Sequence, residues 1–402
     1  MKILHTADWH LGKKLHKYDL SQDHQLFLDW LIMIIKEQKI DLLLISGDIF
    51  DLANPPLEAR AMYYWFLRQM IQLRCRIIIT GGNHDSAQML DAPKEILNLL
   101  DITVVGGATT PITNEIVVHE NVVICAVPYL RDSHIRQAIE GETGASRIEN
   151  VRLGIKKHYN ELAEFCQEKY ADKVKIAMGH LYAQGASSSE SEREIQIGNL
   201  AAVEGNDFSE IFNYVALGHI HRPQRIGGTD RVRYSGSPIP LSFSEKDDKK
   251  IVLILDITEN TISQISEFQV PKFRELKRIS GTFESVKAKL ASYQNEFPLK
   301  AFIEVEVIEE SFDPLIIKLL NDSIALFDDE NAVVLKHRLT FKNEVKSSEE
   351  LFLEGQSIDE ITEKDMLQKR LERENTLSEE HRKLMMEAFT ELLLLVEQED
   401  EN

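Results

Sequence analysis

Cysteine is scarce in this chain: Cys75, Cys125 and Cys166 are the only three among 402 residues, odd in number and far apart. That excludes a disulfide framework and a cysteine-ligated zinc knuckle, and predicts buried, reduced thiols. Long apolar runs are missing too. Leu26 to Ile35, interrupted by Asp29, and Leu392 to Val396 fall far short of the ~20 residues a membrane-spanning helix needs. Met1-Lys2-Ile3-Leu4-His5-Thr6 enters a strand-like pattern without the apolar core of a secretory signal, so a cytoplasmic protein with no membrane role is expected. No Gly-x-x-x-x-Gly-Lys-Ser/Thr run occurs, which assigns any ATPase activity to another polypeptide. Internal repeats are absent. The only low-complexity patch, Ser187–Ser191, is short and reads as a loop.

Positive charge is in deficit, and unevenly so. The net charge is −20, and residues 346–402 alone hold 7 Lys and Arg against 17 Asp and Glu, half of that excess. The acidic tail is excluded as a nucleic-acid surface. A polyanionic substrate would have to meet local basic patches elsewhere, or a partner's.

What the chain does have is a βα rhythm. Met1–Ala7, Ile40–Ser46, Arg76–Thr80, Val122–Val127, Val174–Met178, Tyr214–Leu217 and Ile251–Asp256 read as strands. A helix capped by Ser21, with Leu26, Trp30, Met33 and Ile34 on its apolar face, and a second over Leu57–Leu73 lie among them. This predicts a largely parallel or mixed sheet covered by helices. From Pro271 the pattern changes to strands at Phe273–Ser280, Phe302–Ile308 and Val333–Thr340, with helices at Phe283–Tyr293 and Asp313–Ala325. Beyond Val345 the sequence is charged and helical, and reciprocal capping boxes begin at Ser347, Ser357 and Thr376. Three domains are expected: 1–270, 271–345 and a helical tail over 346–402.

Five strands end on residues that bind metals. The ends are Asp8-Trp9-His10, Gly47-Asp48-Ile49-Phe50-Asp51, Gly81-Gly82-Asn83-His84-Asp85, Gly179-His180 and Gly218-His219-Ile220-His221. In open α/β sheets functional groups gather beyond the carboxyl ends of strands, so the five can share one crevice. Asp48 is a short anionic bridge able to touch two cations. Imidazoles and an amide oxygen complete the shells without excess negative charge, which keeps the ions electrophilic toward water and phosphate. The glycines before Asp48, Asn83, His180 and His219 allow tight turns. Taken singly, Asp8 or Asn83 is more often a cap or turn residue, and His180 a structural histidine. The ordered set, each member after a strand, outweighs those readings.

Asp-x-His, Gly-Asp-x-x-Asp, Gly-Asn-His-Asp, Gly-His and Gly-His-x-His in this order resemble the signature of the calcineurin-like metallophosphoesterases. The resemblance implies an α/β (α+β) four-layer sandwich of two mixed sheets flanked by helices, here with a small α+β capping domain and an acidic helical C-terminal tail. It further implies that Asp8, His10, Asp48 and His221 hold one divalent ion and Asp48, Asn83, His180 and His219 a second. Mn²⁺ is the expected metal, with Mg²⁺, Fe or Zn as alternatives. Within that family, His5 to Gly12, Ser191-Glu192-Arg193, Gly218 to Arg222 and Tyr234 to Phe243 are similar to the nuclease subunits of SbcC–SbcD-type complexes. That resemblance is specific over about residues 1–245. Archaeal and eukaryotic relatives tend to carry histidine where this chain has Asp51, so the role of that histidine does not transfer.

The expected activity is metal-dependent exonuclease and endonuclease cleavage of duplex ends and hairpins in DNA repair and recombination. The implied partners are DNA and an SbcC-type coiled-coil ATPase, with the chain a homodimer inside a heterotetramer. His84 need not be a ligand; beside Asn83 it is placed to reach the phosphate or protonate the leaving oxygen. Asp51 either orients His84 by a hydrogen bond or caps the following turn. Met385, Ala388, Phe389, Leu392 and Val396 make an apolar helical stripe that docks a partner or packs within the tail. Lys13, Lys14, Lys17 and Arg222 are the candidate DNA contacts. Two rivals share the motifs: a small-molecule phosphodiesterase or phosphatase, which needs neither cap nor tail, and a non-catalytic scaffold, which would have lost ligands.

Overall fold

A computed structural model describes residues 1–135, 143–193, 195, 202–310, 314–325, 327, 330–342, 367–368, 371, 381–386 and 388–389. Its core is two six-stranded mixed sheets. In the first, Lys2–Thr6, Leu42–Ser46, Arg76–Thr80 and Ile102–Val105 run parallel, and Ile251–Thr258 and Thr261–Gln269 close the other edge antiparallel. In the second, Val232–Tyr234, Tyr214–Gly218, Val174–His180 and Val122–Ala126 are parallel, between the antiparallel edges Gln224–Arg225 and Ile116–His119.

The continuous apolar strands follow from burial on both faces. Leu42, Leu44, Ile78, Ile124, Ile176, Met178 and Ala216 form the layer between the sheets. Their neighbours Leu43, Ile45, Ile77 and Ile79 point the other way, under helices Ser21–Gln38 and Leu57–Leu73. Val123, Cys125, Ala177, Val215 and Leu217 lie beneath helix Gly144–Lys169, which presents Val151, Ile155, Tyr159, Leu162 and Cys166 at helical spacing. The order helix, sheet, sheet, helix is the four-layer sandwich expected from the motifs. Each central strand alternates between two cores, so a one-residue slip would misplace both.

Ser21 does not cap the first helix. Leu20 occupies the cap position without a side-chain bond, and Asp19 Oδ1 accepts from the Ser21 N–H at 2.6 Å. The buried face is also rotated from the expected one: Phe27, Leu28, Leu31, Ile34 and Ile35 face inward, and Met33 is 44% exposed.

Arg274–Gly281, Leu299–Glu309 and Ala332–Phe341 form a separate three-stranded sheet, with helices Phe283–Ala291 and Pro314–Ala325. Leu276 and Phe302 join the first core. Beside them Arg274 makes a buried bidentate pair with Asp23, Nη2–Oδ2 2.9 Å and Nε–Oδ1 3.0 Å. By compactness, residues 1–307 and 318–338 form one unit, and residues 308–317 with 339–402 a second. The capping boxes, Leu392 and Val396 lie outside the described residues. Residues 381–386 and 388–389 are helical, with Met385 exposed. No described helix is long and apolar enough to cross a membrane.

Candidate metal centre

Three strands of the first sheet and two of the second end at the same edge of the sandwich. The first two turns are laced together: Asp8 N–H donates to the Gly47 carbonyl at 3.1 Å, His10 N–H to that of Asp48 at 3.0 Å, and Leu11 N–H to that of Ile49 at 2.9 Å. Trp9 seats the Asp-x-His turn by packing edge-on against Phe27 and Phe66, and Nε1 donates to Thr6 Oγ1 at 3.1 Å. Holding the side chains inward strains the backbone. Asp8, His10, Asp48 and His219 have φ of +53°, +49°, +47° and +102°, a region that costs side-chain-bearing residues about 1–3 kcal/mol each. Gly82 is required by proximity: a Cβ there would stand 2.1 Å from Asp48 Oδ1 and 2.3 Å from its backbone nitrogen.

The five ends bring all seven expected ligands into one cluster. Asp8, His10, Asp48, His180, His219 and His221 are each at most 2% exposed. Donor atoms of Asp8, His10 and His221 lie within 4.8 Å of one another, as do those of Asp8, Asp48 and His180. Asp48 Oδ2 stands between two imidazoles, 3.5 Å from His10 Nε2 and 3.3 Å from His180 Nε2. His180 Nε2 is also 2.9 Å from Asn83 Oδ1, while its Nδ1 faces the Ser46 carbonyl at 3.2 Å. Across the site His10 Nε2 and His221 Nε2 face each other at 3.1 Å.

Two observations fit this donor set to divalent cations. Among the described residues, Asp8 Oδ2 and His219 Nε2 are buried without a hydrogen-bond partner, which is costly unless a cation takes them up. The mixture of carboxylate, amide and imidazole suits first-row divalent ions. Without a cation the charges compensate imperfectly. Burial pushes the Asp8 carboxyl up to about 7 and the His10 ring down to about 4. Burial also opposes charge on Asp48 and His180, but each overrides it for the other. His180, with His10 and His84 behind it, holds the Asp48 carboxyl well below its ordinary range, and Asp48 lifts His180 to about 9. A cation enters such a site as ligand protons leave.

His84 is buried beside the cluster, with its backbone N–H on Asp48 Oδ1 at 2.9 Å. Its Nδ1 lies 2.7 Å from the backbone carbonyl of Asp51, so that nitrogen carries the hydrogen. This changes the expected pairing. The Asp51 carboxylate is 4.0 Å from His84 Nδ1 but 3.3 Å from His10 Nδ1 and 3.0 Å from Lys13 Nζ. The turn carries the Asp51 backbone over His84 and turns its side chain toward the Asp-x-His motif. Lys13 is thereby engaged. Arg222 is engaged too, by Asp248 at 3.0 Å and Ser187 Oγ at 2.9 Å, whereas Lys14 and Lys17 stand exposed on the Lys14–Leu15 and Tyr18–Asp19 hairpin.

Several residues went unassigned in the sequence. Asp85 staples two motif turns, accepting from the N–H groups of Gly82, Ile49 and Phe50 at 2.9, 3.1 and 3.0 Å. Ser191, Glu192 and Glu245 gather around His221: Ser191 Oγ is 2.7 Å from His221 Nδ1, and Glu192 Oε1 accepts the His221 N–H at 2.9 Å. The one available signal for Asp85 was its place in Gly-Asn-His-Asp; Glu245 had none.

A family model described as calcineurin-like phosphoesterase matches residues 1–223, and one described as type 5 capsule protein repressor C-terminal domain matches residues 272–375. The chain is 34% identical over 327 residues to the SbcD component of the SbcCD nuclease from Escherichia coli K12, covering 78% of this chain and 80% of that one. To the SbcD component from Rhodobacter capsulatus it is 36% identical over 275 residues, 64% of this chain and 66% of that one. Among solved structures, a dimetal phosphatase from Danio rerio aligns with 12% identity and a TM-score of 0.41, over 67% of this chain and 96% of that one.

Proposed function

The chain belongs to the calcineurin-like phosphoesterases and, within them, to the SbcD nuclease subunits, and from that premise we propose how its residues perform the cleavage. It is a metal-dependent nuclease, hydrolysing phosphodiester bonds as one subunit of a complex with an SbcC ATPase acting on DNA. The observation that carries the reading is Asp48 Oδ2, placed between His10 Nε2 at 3.5 Å and His180 Nε2 at 3.3 Å. A bridging carboxylate needs that placement.

In this account Asp8, His10, Asp48 and His221 would hold one ion, and Asp48, Asn83, His180 and His219 the other; Mn²⁺ is the proposed metal on the family resemblance, while the four imidazoles taken alone suit Fe or Zn equally. Bound there, divalent ions supply Lewis acidity, activating water and neutralising charge on the phosphate. The residues do the rest. His180 is oriented through the Ser46 carbonyl, leaving Nε2 for the site. His84, its Nδ1 fixed on the Asp51 carbonyl, offers Nε2 to the substrate, where it holds or returns a proton at the leaving oxygen. A competing role for His84 as a ligand draws on its proximity to His10 and Asp48, whose donor atoms lie within 4.8 Å of its own. Asp51 acts through His10.

The functional division is a nuclease domain over 1–270, a cap over 271–345 and a partner-binding tail over 346–402. Duplex ends and hairpins are the proposed substrates, with Lys14 and Lys17 the freest of the candidate DNA contacts. A homodimer within a heterotetramer is supported by apolar side chains facing solvent on two helical segments: Leu57 is 68% exposed, Ile96 67% and Leu99 85%. Three free buried cysteines support a reducing, cytoplasmic setting. The test is cleavage of duplex and hairpin DNA beside a small phosphate monoester, with Mn²⁺ or Mg²⁺, with and without the ATPase. Duplex cleavage that requires Mn²⁺ supports the reading. Turnover of the monoester alone overturns it in favour of a phosphatase.

A further inference from the structure

His221 is gripped at its backbone and its ring. Its N–H donates to Glu192, and its carbonyl accepts from Lys250 Nζ at 3.0 Å and from the Ser237 N–H at 3.1 Å. Its ring Nδ1 lies 2.7 Å from Ser191 Oγ, and Ser191 Oγ donates to Glu245 Oε1, itself 3.4 Å from Nδ1. Glu245 is 0% exposed, and its second oxygen accepts from Lys250 Nζ at 2.5 Å, Ser237 Oγ at 3.2 Å and the Leu241 N–H at 3.2 Å.

A carboxylate only accepts, and Ser189 Oγ joins the group, 2.7 Å from Ser191 Oγ and 3.0 Å from Glu245 Oε1. With the Ser191 hydroxyl donating to Glu245, the Ser191 oxygen is left to accept from Nδ1. Nδ1 therefore carries the ring hydrogen, and Nε2 presents its lone pair toward His10 Nε2, 3.1 Å away. A buried carboxylate and ammonium are weak contributors to stability compared with apolar packing, so this pair is better accounted for by orientation than by fold strength.

We propose that Glu245, acting through the Ser191 hydroxyl, is the positioning carboxylate of His221, with Lys250 as its buried counter-charge. The proposal rests on the reading of His221 as a metal ligand. It assigns a role to the serine-rich loop over 187–191 and to a segment just before the cap, neither of which supplies a ligand. Partners that orient ligating imidazoles typically change metal affinity 10–100-fold when removed.

The experiment is Mn²⁺ titration by calorimetry on the full chain, with melting temperature of the metal-free protein measured beside it. The variants are Ser191→Ala, Ser191→Thr, Glu245→Gln and His221→Ala. Wild type should bind two ions and His221→Ala should lose one; failure there removes the ligand reading itself. Given that result, Ser191→Ala and Glu245→Gln should weaken one ion 10–100-fold while Ser191→Thr, which keeps the hydroxyl, stays near wild type. If Ser191→Ala binds both ions with wild-type affinity, or if Ser191→Thr loses as much as Ser191→Ala, the relay is wrong. Should Glu245→Gln fail to fold, the two Ser191 variants decide, since Ser191 is only part-buried on a loop.

Discussion

Replacing Asp51 by asparagine separates two accounts of how this carboxylate serves the site. Its Oδ1 is 3.3 Å from His10 Nδ1 and 3.0 Å from Lys13 Nζ, and 4.0 Å from His84 Nδ1. His84 donates its Nδ1 hydrogen to the Asp51 backbone carbonyl, which the substitution leaves in place. The loss should therefore fall on His10, a proposed ligand, and appear as weaker metal binding. Removing a partner that orients a ligating imidazole costs about 10–100-fold in affinity, or about 1.4–2.7 kcal/mol. At saturating Mn²⁺ the turnover of Asp51→Asn should return to within about threefold of wild type. In a His84→Ala background the same substitution should still weaken Mn²⁺ binding, because its effect falls on His10 and not on His84. The assay is cleavage rate against Mn²⁺ concentration for both single variants and the double. A drop in turnover at saturating metal, with unchanged Mn²⁺ affinity and no further loss in the double variant, would refute the reasoning and restore an Asp51–His84 pair.

Gly82→Ala should displace Asp48, since the new Cβ would sit 2.1 Å from Oδ1; overpacking of that kind costs about 1–3 kcal/mol, and elemental analysis should find less bound metal. Asp23→Ala should strand the buried Arg274 guanidinium and lower stability by about 3–5 kcal/mol, read as a fall in melting temperature with metal stoichiometry kept. A Leu57→Asp, Leu99→Asp double variant should halve the mass found by sedimentation while cleavage of a small phosphodiester persists; an unchanged mass argues against those helices as the dimer surface.

Much of this was legible in the sequence because strand ends and chemistry coincide. The strands carrying Asp8, Asp48, Asn83, His180 and His219 are apolar runs that stop on a candidate ligand, and the alternation of Leu42 and Leu44 against Leu43 and Ile45 is what two cores demand. Other features were hidden by physics that sequence order does not display. Edge strands such as Thr261–Gln269 are half polar, with several side chains in solvent, and give little apolar signal. Helix Gly144–Lys169 keeps its stripe within a strongly polar surround, marked by Val151, Ile155, Tyr159, Leu162 and Cys166. At the site the candidate ligands stand out by type and spacing, but their supports do not. Glu245 lies 24 residues from His221, and its role depends on the loop that brings Ser191 between them. Three residues after Asp48, Asp51 reads in sequence as either an orienting partner of His84 or a cap of the following turn. The direction of its side chain follows from the turn.

The most direct test of the central claim, that these strand ends hold two divalent ions bridged by Asp48, is the count of Mn²⁺ per chain by elemental analysis in wild type, Asp48→Asn and His84→Ala. The account expects two ions in wild type and in His84→Ala, with turnover on duplex DNA reduced on the order of 10²–10⁴ in the latter. Asp48→Asn should lose bound metal and activity together. Two ions and wild-type cleavage in Asp48→Asn would contradict the bridge, and loss of an ion in His84→Ala would make that histidine a ligand.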